Sequence, residues 1–310
     1  MTTAILGLLA QTSIHAGAGT QTGIIDLPIQ REGHNGYPCV YGSAVKGALR
    51  DKAEQQIMAG LSERPTDAKS YAEKVQTDNM LVSVYGSMRT ASIENESTGA
   101  IIVTDARLLL FPVRSLTSQF KWVTCPYILR RYQADCARLS KEVTFSIPPC
   151  DGENQAFIHN TNNTSSLFLE EYRFEAEPQD LTNLISVLVQ LMQRDNVQID
   201  LEKQVVIVSD DNFTHLVNHA TPVNAHIALD ALTKTTKGGA LWYEETLPPE
   251  TLLYIGLSAN KPRRQDSTLT ADGVLNEVLK LFPSKKPYLQ LGGNETVGMG
   301  WCIVKPLEGK

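Results

Sequence analysis

Thr3-Ala4-Ile5-Leu6-Gly7-Leu8-Leu9-Ala10 is an unbroken apolar run of strand length, and the loop Ser13-Ile14-His15-Ala16-Gly17-Ala18-Gly19-Thr20 follows it. A strand buried on both faces reads as a continuous apolar stretch rather than an alternating one, so the run marks a central strand. The loop has little to pack. Its glycines let backbone or a ligand come close. Beyond it, Ile24, Ile25, Leu27 and Ile29 break a polar stretch and enclose Asp26, an acid that needs a partner, a metal or an exposed edge.

Gly42-Ser43 opens a helix with Ser43 as its N-cap. Val45, Ala48 and Leu49 face inward, while Lys46 and Arg50 sit four apart on one side. Spacing alone leaves those cations as either solvated residues or a phosphate-facing pair. Residues 73–98 read as a long loop or inserted subdomain, with Glu94-Asn95-Glu96 near its end. Strand character returns over 99–113, with Pro112 ending or edging it. A helix begins near Pro126 and carries Arg130, Arg131 and Arg138 on its polar side. The stretches around Pro148-Pro149 and Asn160–Thr164 are irregular.

Leu167–Leu169 and Tyr172–Phe174 are strand-like, and 181–192 has the apolar spacing of a buried helix. Val205–Val208 is a strand, and Ser209-Asp210 caps a short helix. Val223–Leu229 alternates as a strand, Lys237-Gly238-Gly239 reads as a turn, and Leu252–Leu257 is a further strand. A helix over 274–282 and a glycine-rich return from Tyr288 to Val304 close the pattern. Mixed helices and hairpins favour α+β over a doubly wound sheet, and two β-α-β-β-like passages suit a ferredoxin-like core.

The 310 residues carry 28 Lys plus Arg against 34 Asp plus Glu, a formal charge of -6, which excludes a generally basic surface but not a local basic groove. Cys39, Cys125, Cys136, Cys150 and Cys302 are widely spaced without a C-x-x-C pair, which argues for reduced thiols and a cytoplasmic setting. The start has no basic flank, which argues against a signal peptide. No run approaches the ~20 apolar residues of a membrane span. His215 and His219 are four apart but lack the acid of an H-E-x-x-H metal site.

Leu291-Gly292-Gly293-Asn294-Glu295-Thr296-Val297-Gly298-Met299-Gly300-Trp301 is the sharpest segment. It is neither a Walker loop nor a dinucleotide fingerprint. Its glycines either shape a tight hairpin or offer backbone N–H groups to phosphate, and both readings stay open. Gly17 and Gly19 pose the same choice. If the two loops adjoin, they form one cradle for a sugar-phosphate chain.

Five segments in order carry a resemblance. They are Ser13–Gly17, Gly23–Glu32, Gly42–Arg50, Thr104–Arg107 with Phe111–Ser115, and Gly292–Gly300. Together they resemble the CRISPR RAMP superfamily and, more narrowly, the repeated backbone subunit of type III-B (Cmr) effector complexes. The resemblance implies one RAMP-type domain over 1–310: an α+β palm with a modified RNA-recognition, ferredoxin-like core, an inserted thumb hairpin and helical insertions near 55–98, 120–170 and 220–250. It implies a crRNA guide, complementary target RNA, further copies of the chain and other type III-B subunits as partners, and no membrane. Guide contacts are implied at Gly17, Gly19, Arg31, Ser43, Lys46, Arg50, Gly292, Gly293, Asn294, Thr296, Gly298 and Gly300. Asp26 matches the family's cleavage aspartate, implying a metal-dependent endoribonuclease that uses Mg2+ or another divalent ion. Whether Asp26 binds the metal or moves a proton stays open. His15 is either an acid–base group or a loop histidine bonded to backbone. Relatives can carry an aromatic residue where this chain has Thr246, which weakens any role for Trp242-Tyr243-Glu244-Glu245 in cleavage. A scaffold without nuclease activity and a metabolic enzyme that binds a phosphate ligand are the competing readings.

Overall fold

The computed structural model describes residues 1–87, 97–150, 152–162 and 164–307. Strand β1 (Thr2–Ala10) is buried along nearly its whole length. After the loop come β2 (Cys39–Val40), α1 (Gly42–Gly60), α2 (Ala68–Tyr71), a π-turn at Ala72–Gln76 and α3 (Asn79–Tyr85). Strands β3 (Ile101–Val103), β4 (Ala106–Arg114) and β5 (Phe120–Thr124) precede α4 (Pro126–Arg138). Next are β6 (Gln155–His159), β7 (Ser166–Leu169), β8 (Tyr172–Gln179), α5 (Thr182–Leu191), α6 (Val197–Gln204), β9 (Val205–Val208) and α7 (Asp210–His219). The chain continues through β10 (Val223–Leu229), β11 (Thr236–Glu245), β12 (Leu252–Ala259), α8 (Ala271–Leu279), β13 (Tyr288–Gln290) and β14 (Trp301–Pro306).

The sheet runs β13-β14-β1-β12-β4-β5-β9-β6-β8-β7. Within it, β14-β1-β12-β4 is the antiparallel order of a ferredoxin-like core, with α1 crossing from β1 toward β4 and α8 crossing from β12 toward β14. The α+β, RNA-recognition-like expectation is therefore met. Both faces of β1 are covered because its side chains alternate. Thr2 hydrogen-bonds Asp272 of α8, whereas Thr3 donates to the Leu139 carbonyl at the end of α4 (2.5 Å). Gly7 leaves room for α5: a Cβ there would sit 2.1 Å from the Leu191 carbonyl oxygen.

The long excursion between β4 and β12 extends the sheet through β5, β9, β6, β8 and β7. It then throws out β10–β11 as a separate two-stranded ribbon. Val223, Ile227, Leu229, Leu232 and Leu241 are exposed along that ribbon. It is the expected projecting hairpin.

Several local expectations are corrected. Ser43 does not cap α1: Tyr41 is the N-cap, and Asp105 Oδ1 accepts the Gly42 N–H (2.7 Å), so the acceptor comes from the distant β3–β4 connection instead. Of the two readings of 73–98, loop or inserted subdomain, the described part follows the second: 72–76 and 79–85 are helical, with Val75, Leu81, Val82, Val84 and Tyr85 buried. Residues 88–96, with Glu94-Asn95-Glu96, lie outside the described residues, as does Asn163. Gly238 and Gly239 run inside β11. The turn is earlier, where Asp230 Oδ1 accepts the N–H groups of Leu232 and Thr233 (both 2.9 Å). Of the two readings of Pro112, ending or edging β4, the second holds. Pro112 pairs with Trp122 of β5, beyond the last residue of β4 that meets β12, so its missing N–H leaves no ladder bond broken.

Candidate nucleic-acid interface

The loop after β1 is stitched to three other parts of the chain. Ile14 exchanges both backbone hydrogen bonds with Leu247 (2.9 and 2.8 Å), and the Ala16 carbonyl accepts from the Gln30 N–H (2.8 Å). The third seam is the C-terminal glycine loop. Gly293 N–H donates to the His15 carbonyl and Gly300 N–H to the Ser13 carbonyl, each at 2.8 Å. The two glycine loops, whose adjacency the sequence left open, are one structure. Contact this close requires glycine at 292: its φ is +85°, and a Cβ would lie 2.3 Å from the His15 carbonyl oxygen.

The rim built this way is exposed at Gly17, Gly19, Gly292, Gly293, Thr296 and Gly298. Gly300 is buried beneath it against the Leu291 carbonyl and serves the loop's own closure. Asn294 lies half-buried and donates from Nδ2 to Glu244 Oε1 (2.6 Å). Glu244 also stands 3.8 Å from His15 Nδ1. His15 itself is buried, with Nδ1 2.8 Å from the Glu245 carbonyl. A carbonyl only accepts, so Nδ1 carries the hydrogen and the neutral ring leaves Nε2 unprotonated. The backbone bond of the second alternative is thus present, and it leaves Nε2 with the lone pair that the acid–base alternative needs, so both stay open.

Asp26 lies at the root of the ribbon. Its Oδ2 accepts the Tyr243 N–H (2.8 Å), and a short parallel ladder continues from Leu27 N–H to the Tyr243 carbonyl (3.1 Å) and from Glu245 N–H to the Leu27 carbonyl (3.0 Å). The carboxylate is half-exposed, and among the described residues none donates to its Oδ1. Glu244 and Glu245, adjacent on β11, point to opposite sides as strand geometry requires. Glu245 is tied to Arg31 (2.5 Å), Thr221 (2.7 Å) and the Ile29 N–H (3.0 Å). Thr246 is buried and donates its N–H to the Pro222 carbonyl, which removes it from the rim.

Two expected cations do not reach the rim. Arg31 directs its guanidinium inward, to Glu245, the Gly36 and Val217 carbonyls (2.8 and 3.0 Å) and Asn218. Arg50 is paired with Glu54 (2.7 Å) and donates to the Gly86 carbonyl (2.7 Å). The structure thus splits the Lys46–Arg50 pair. Lys46 is half-exposed and has no hydrogen-bond or ion-pair partner among the described residues, and burial, then Arg50, lowers its pKa. Ser43 is exposed one position inside the helix start. The Glu295 tip of the glycine loop lies close to α1: burial, then Glu295, raises the Asp51 carboxyl above its usual value. The glycine rim and α1 are therefore neighbours, with two acids at their junction.

Among the described residues, no group of three or more His, Cys, Asp or Glu side chains is placed to hold a metal ion. Asp26 offers one carboxylate, and Glu244 is already held by Asn294. Among the described residues this donor set is too sparse to cage a divalent ion by itself; water and RNA phosphates would have to supply most of the six oxygens around it. Among the described residues, no helix is long and apolar enough to cross a membrane.

Sequence reasoning missed Tyr243, whose main chain anchors Asp26, and left Glu244 unassigned. Two adjacent acids in a strand, one on each face, were the available signal.

Residues 8–303 match the family model of the RAMP superfamily. The chain is 33% identical over 303 residues to a Pyrococcus furiosus protein named CRISPR system Cmr endoribonuclease Cmr4, covering 97% of this chain and 94% of that one. It is 25% identical over 316 residues to CRISPR system CMR subunit Cmr4 of Saccharolobus solfataricus, covering 94% and 92%. The crystal structure of oligomeric Cmr4 from Pyrococcus furiosus aligns with a TM-score of 0.69 at 27% identity, over 100% of this chain and 99% of that one.

Proposed function

The chain belongs to the RAMP superfamily as a Cmr4-like member, and on that premise we propose that it is the guide-binding backbone subunit of a type III-B CRISPR effector complex. In this reading the crRNA guide lies along the glycine rim and the Lys46 side of α1. Further copies of the chain continue the track, complementary target RNA pairs with the guide, and other effector subunits complete the assembly. One observation carries the reading: Gly293 N–H to the His15 carbonyl joins two glycine loops into a single open main-chain rim beside α1. Such a rim suits a sugar-phosphate chain, which is held by backbone N–H groups and few cations.

A second reading adds cleavage of the target, and the placement of Asp26 favours it. The carboxylate is fixed by the Tyr243 N–H yet keeps one oxygen open at the root of the projecting ribbon. A ribose 2′-hydroxyl held in line can attack its adjacent phosphate. The O2′–P bond forms and the P–O5′ bond breaks, leaving a cyclic phosphate and a 5′-hydroxyl. Asp26 Oδ1 would orient the 2′-hydroxyl or accept its proton, and the departing 5′-oxygen would take a proton from water. The expected Mg2+ or other divalent ion would be held mainly by RNA phosphate oxygens, with Asp26 as one protein ligand, and would neutralise phosphate charge.

One experiment tests both readings. The complex is reconstituted with wild-type chain or with Asp26→Asn, and guide retention and target cutting are measured separately. Retained guide in both with cutting lost only in the variant supports both readings. Cutting that persists leaves the scaffold alone, and absence of guide from the wild-type assembly overturns the backbone reading.

A further inference from the structure

A groove of about 530 Å³ opens beside the segment that carries Asp26. Ile24, Ile25, Pro28, Tyr41 and Asn218 are among the residues that line it. Ile24 is 92% exposed and Tyr41 44% exposed, so apolar and aromatic surface faces open space. Neither residue belongs to the glycine rim.

Tyr41 is held at both ends. Its N–H donates to Gln30 Oε1 (2.7 Å) and its hydroxyl to the Arg31 carbonyl (3.4 Å), and it is the N-cap of α1. The ring is therefore in place before anything lands on it, and a partner need not order it first. Arg31 and Glu245 also line the groove, but they are paired with each other, so their charges are compensated. A phosphate gains little from such a lining, whereas a neutral planar group loses little. Asn218 is oriented by Arg31, which donates to its Oδ1 (3.2 Å), and among the described residues its Nδ2 hydrogens meet no acceptor. An oriented amide donor beside a fixed aromatic face is the pairing that reads an unstacked base.

We propose that this groove seats one base of the RNA strand facing Asp26, stacked on Tyr41 and met at its edge by Asn218. The inference rests on the reading of the chain as an RNA-binding subunit. Tyr41 is a positioning residue here: by holding a base, it would fix the neighbouring sugar and phosphate relative to Asp26.

The test crosses two changes in the reconstituted complex. One is Tyr41→Ala. The other is a target RNA with a single abasic nucleotide moved along the strand. At one recurring position the abasic site is expected to weaken binding of intact complex roughly tenfold, in line with base–aromatic stacking. Tyr41→Ala should remove that sensitivity at that position only, and Tyr41→Phe, which keeps the ring, should preserve it. A purely structural Tyr41 would weaken intact and abasic RNA equally. Equal weakening, or no effect, at every position overturns the proposal. Wild-type complex that retains no guide overturns the parent reading and this one with it, so the two failures are told apart.

Discussion

At the scale of single residues, the glycine loop is two kinds of glycine, and composition could not separate them. Gly292 and Gly298 both have positive φ, +85° and +83°. Of these two only Gly292 is also packed against a carbonyl, that of His15 in the loop after β1; a Cβ on Gly298 meets nothing within 4 Å. Gly298→Ala is expected to cost about 1 kcal/mol, the ordinary penalty for a left-handed residue with a side chain. Gly292→Ala should cost more, about 2–3 kcal/mol, and should break the seam to His15. Urea denaturation of the two variants, with hydrogen exchange at Gly293 N–H, checks the order. Equal costs would mean that the His15 contact does not hold the loops together. The same contrast explains why His15 was legible only as a choice. Its neighbours in sequence say nothing of the Glu245 carbonyl, 230 positions away, that takes its Nδ1 hydrogen.

At the scale of elements, the apolar runs were readable and the polar connections were not. β1, β9, α4, α5 and α7 lie where their patterns put them, because burial against two faces or one stripe leaves a periodic trace. The cap of α1, the turn of the ribbon and the pairing of Arg31 and Arg50 were misread or unread. Each depends on a partner supplied from elsewhere in the fold: Asp105, Asp230, Glu245 and Glu54. The polar side of α4 shows the energetic side of this. Asp135 is buried, which by itself would raise its pKa. The Tyr254 hydroxyl (2.8 Å), Arg107 (2.8 Å) and Arg138 (3.1 Å) outweigh that and hold it below the usual carboxylate value. A folded pKa below the unfolded ~3.9 favours the ionised form on folding. The contribution is therefore present above about pH 4 and lost as pH falls through the folded value. Asp135→Asn is expected to destabilise the chain by about 1–3 kcal/mol at pH 7. That gap should shrink steadily below pH 4 in urea titrations. A gap that stays constant with pH would show that the arginines contribute nothing through the charge of Asp135.

At the scale of the whole molecule, a formal charge of -6 sets the central tension for an RNA-binding chain. The ferredoxin-like core and the joined loops place open main chain along one track. Two of the three cations expected to serve it, Arg31 and Arg50, are instead neutralised within the fold. Lys46 remains uncommitted, and Asp51 and Glu295 lie at the junction of helix and loop. Affinity from one copy must therefore be modest and weakly dependent on salt, with tight binding arising from repeated copies on one guide. The prediction is a difference between two basic residues one helical turn apart. For single-stranded RNA, each phosphate contact contributes roughly -0.7 to the slope of log affinity against log salt. Lys46→Ala should flatten that slope by about one such contact while leaving the melting temperature nearly unchanged. Arg50→Ala should leave the slope as it is and lower the melting temperature, because it strands the buried Glu54 and removes the bond to the Gly86 carbonyl. Filter binding across a salt series, paired with thermal unfolding of each variant, reads both quantities. If Arg50→Ala flattened the slope as much as Lys46→Ala, the guanidinium would have to leave Glu54 to meet RNA, and the division between structural and RNA-facing charge on α1 would be wrong.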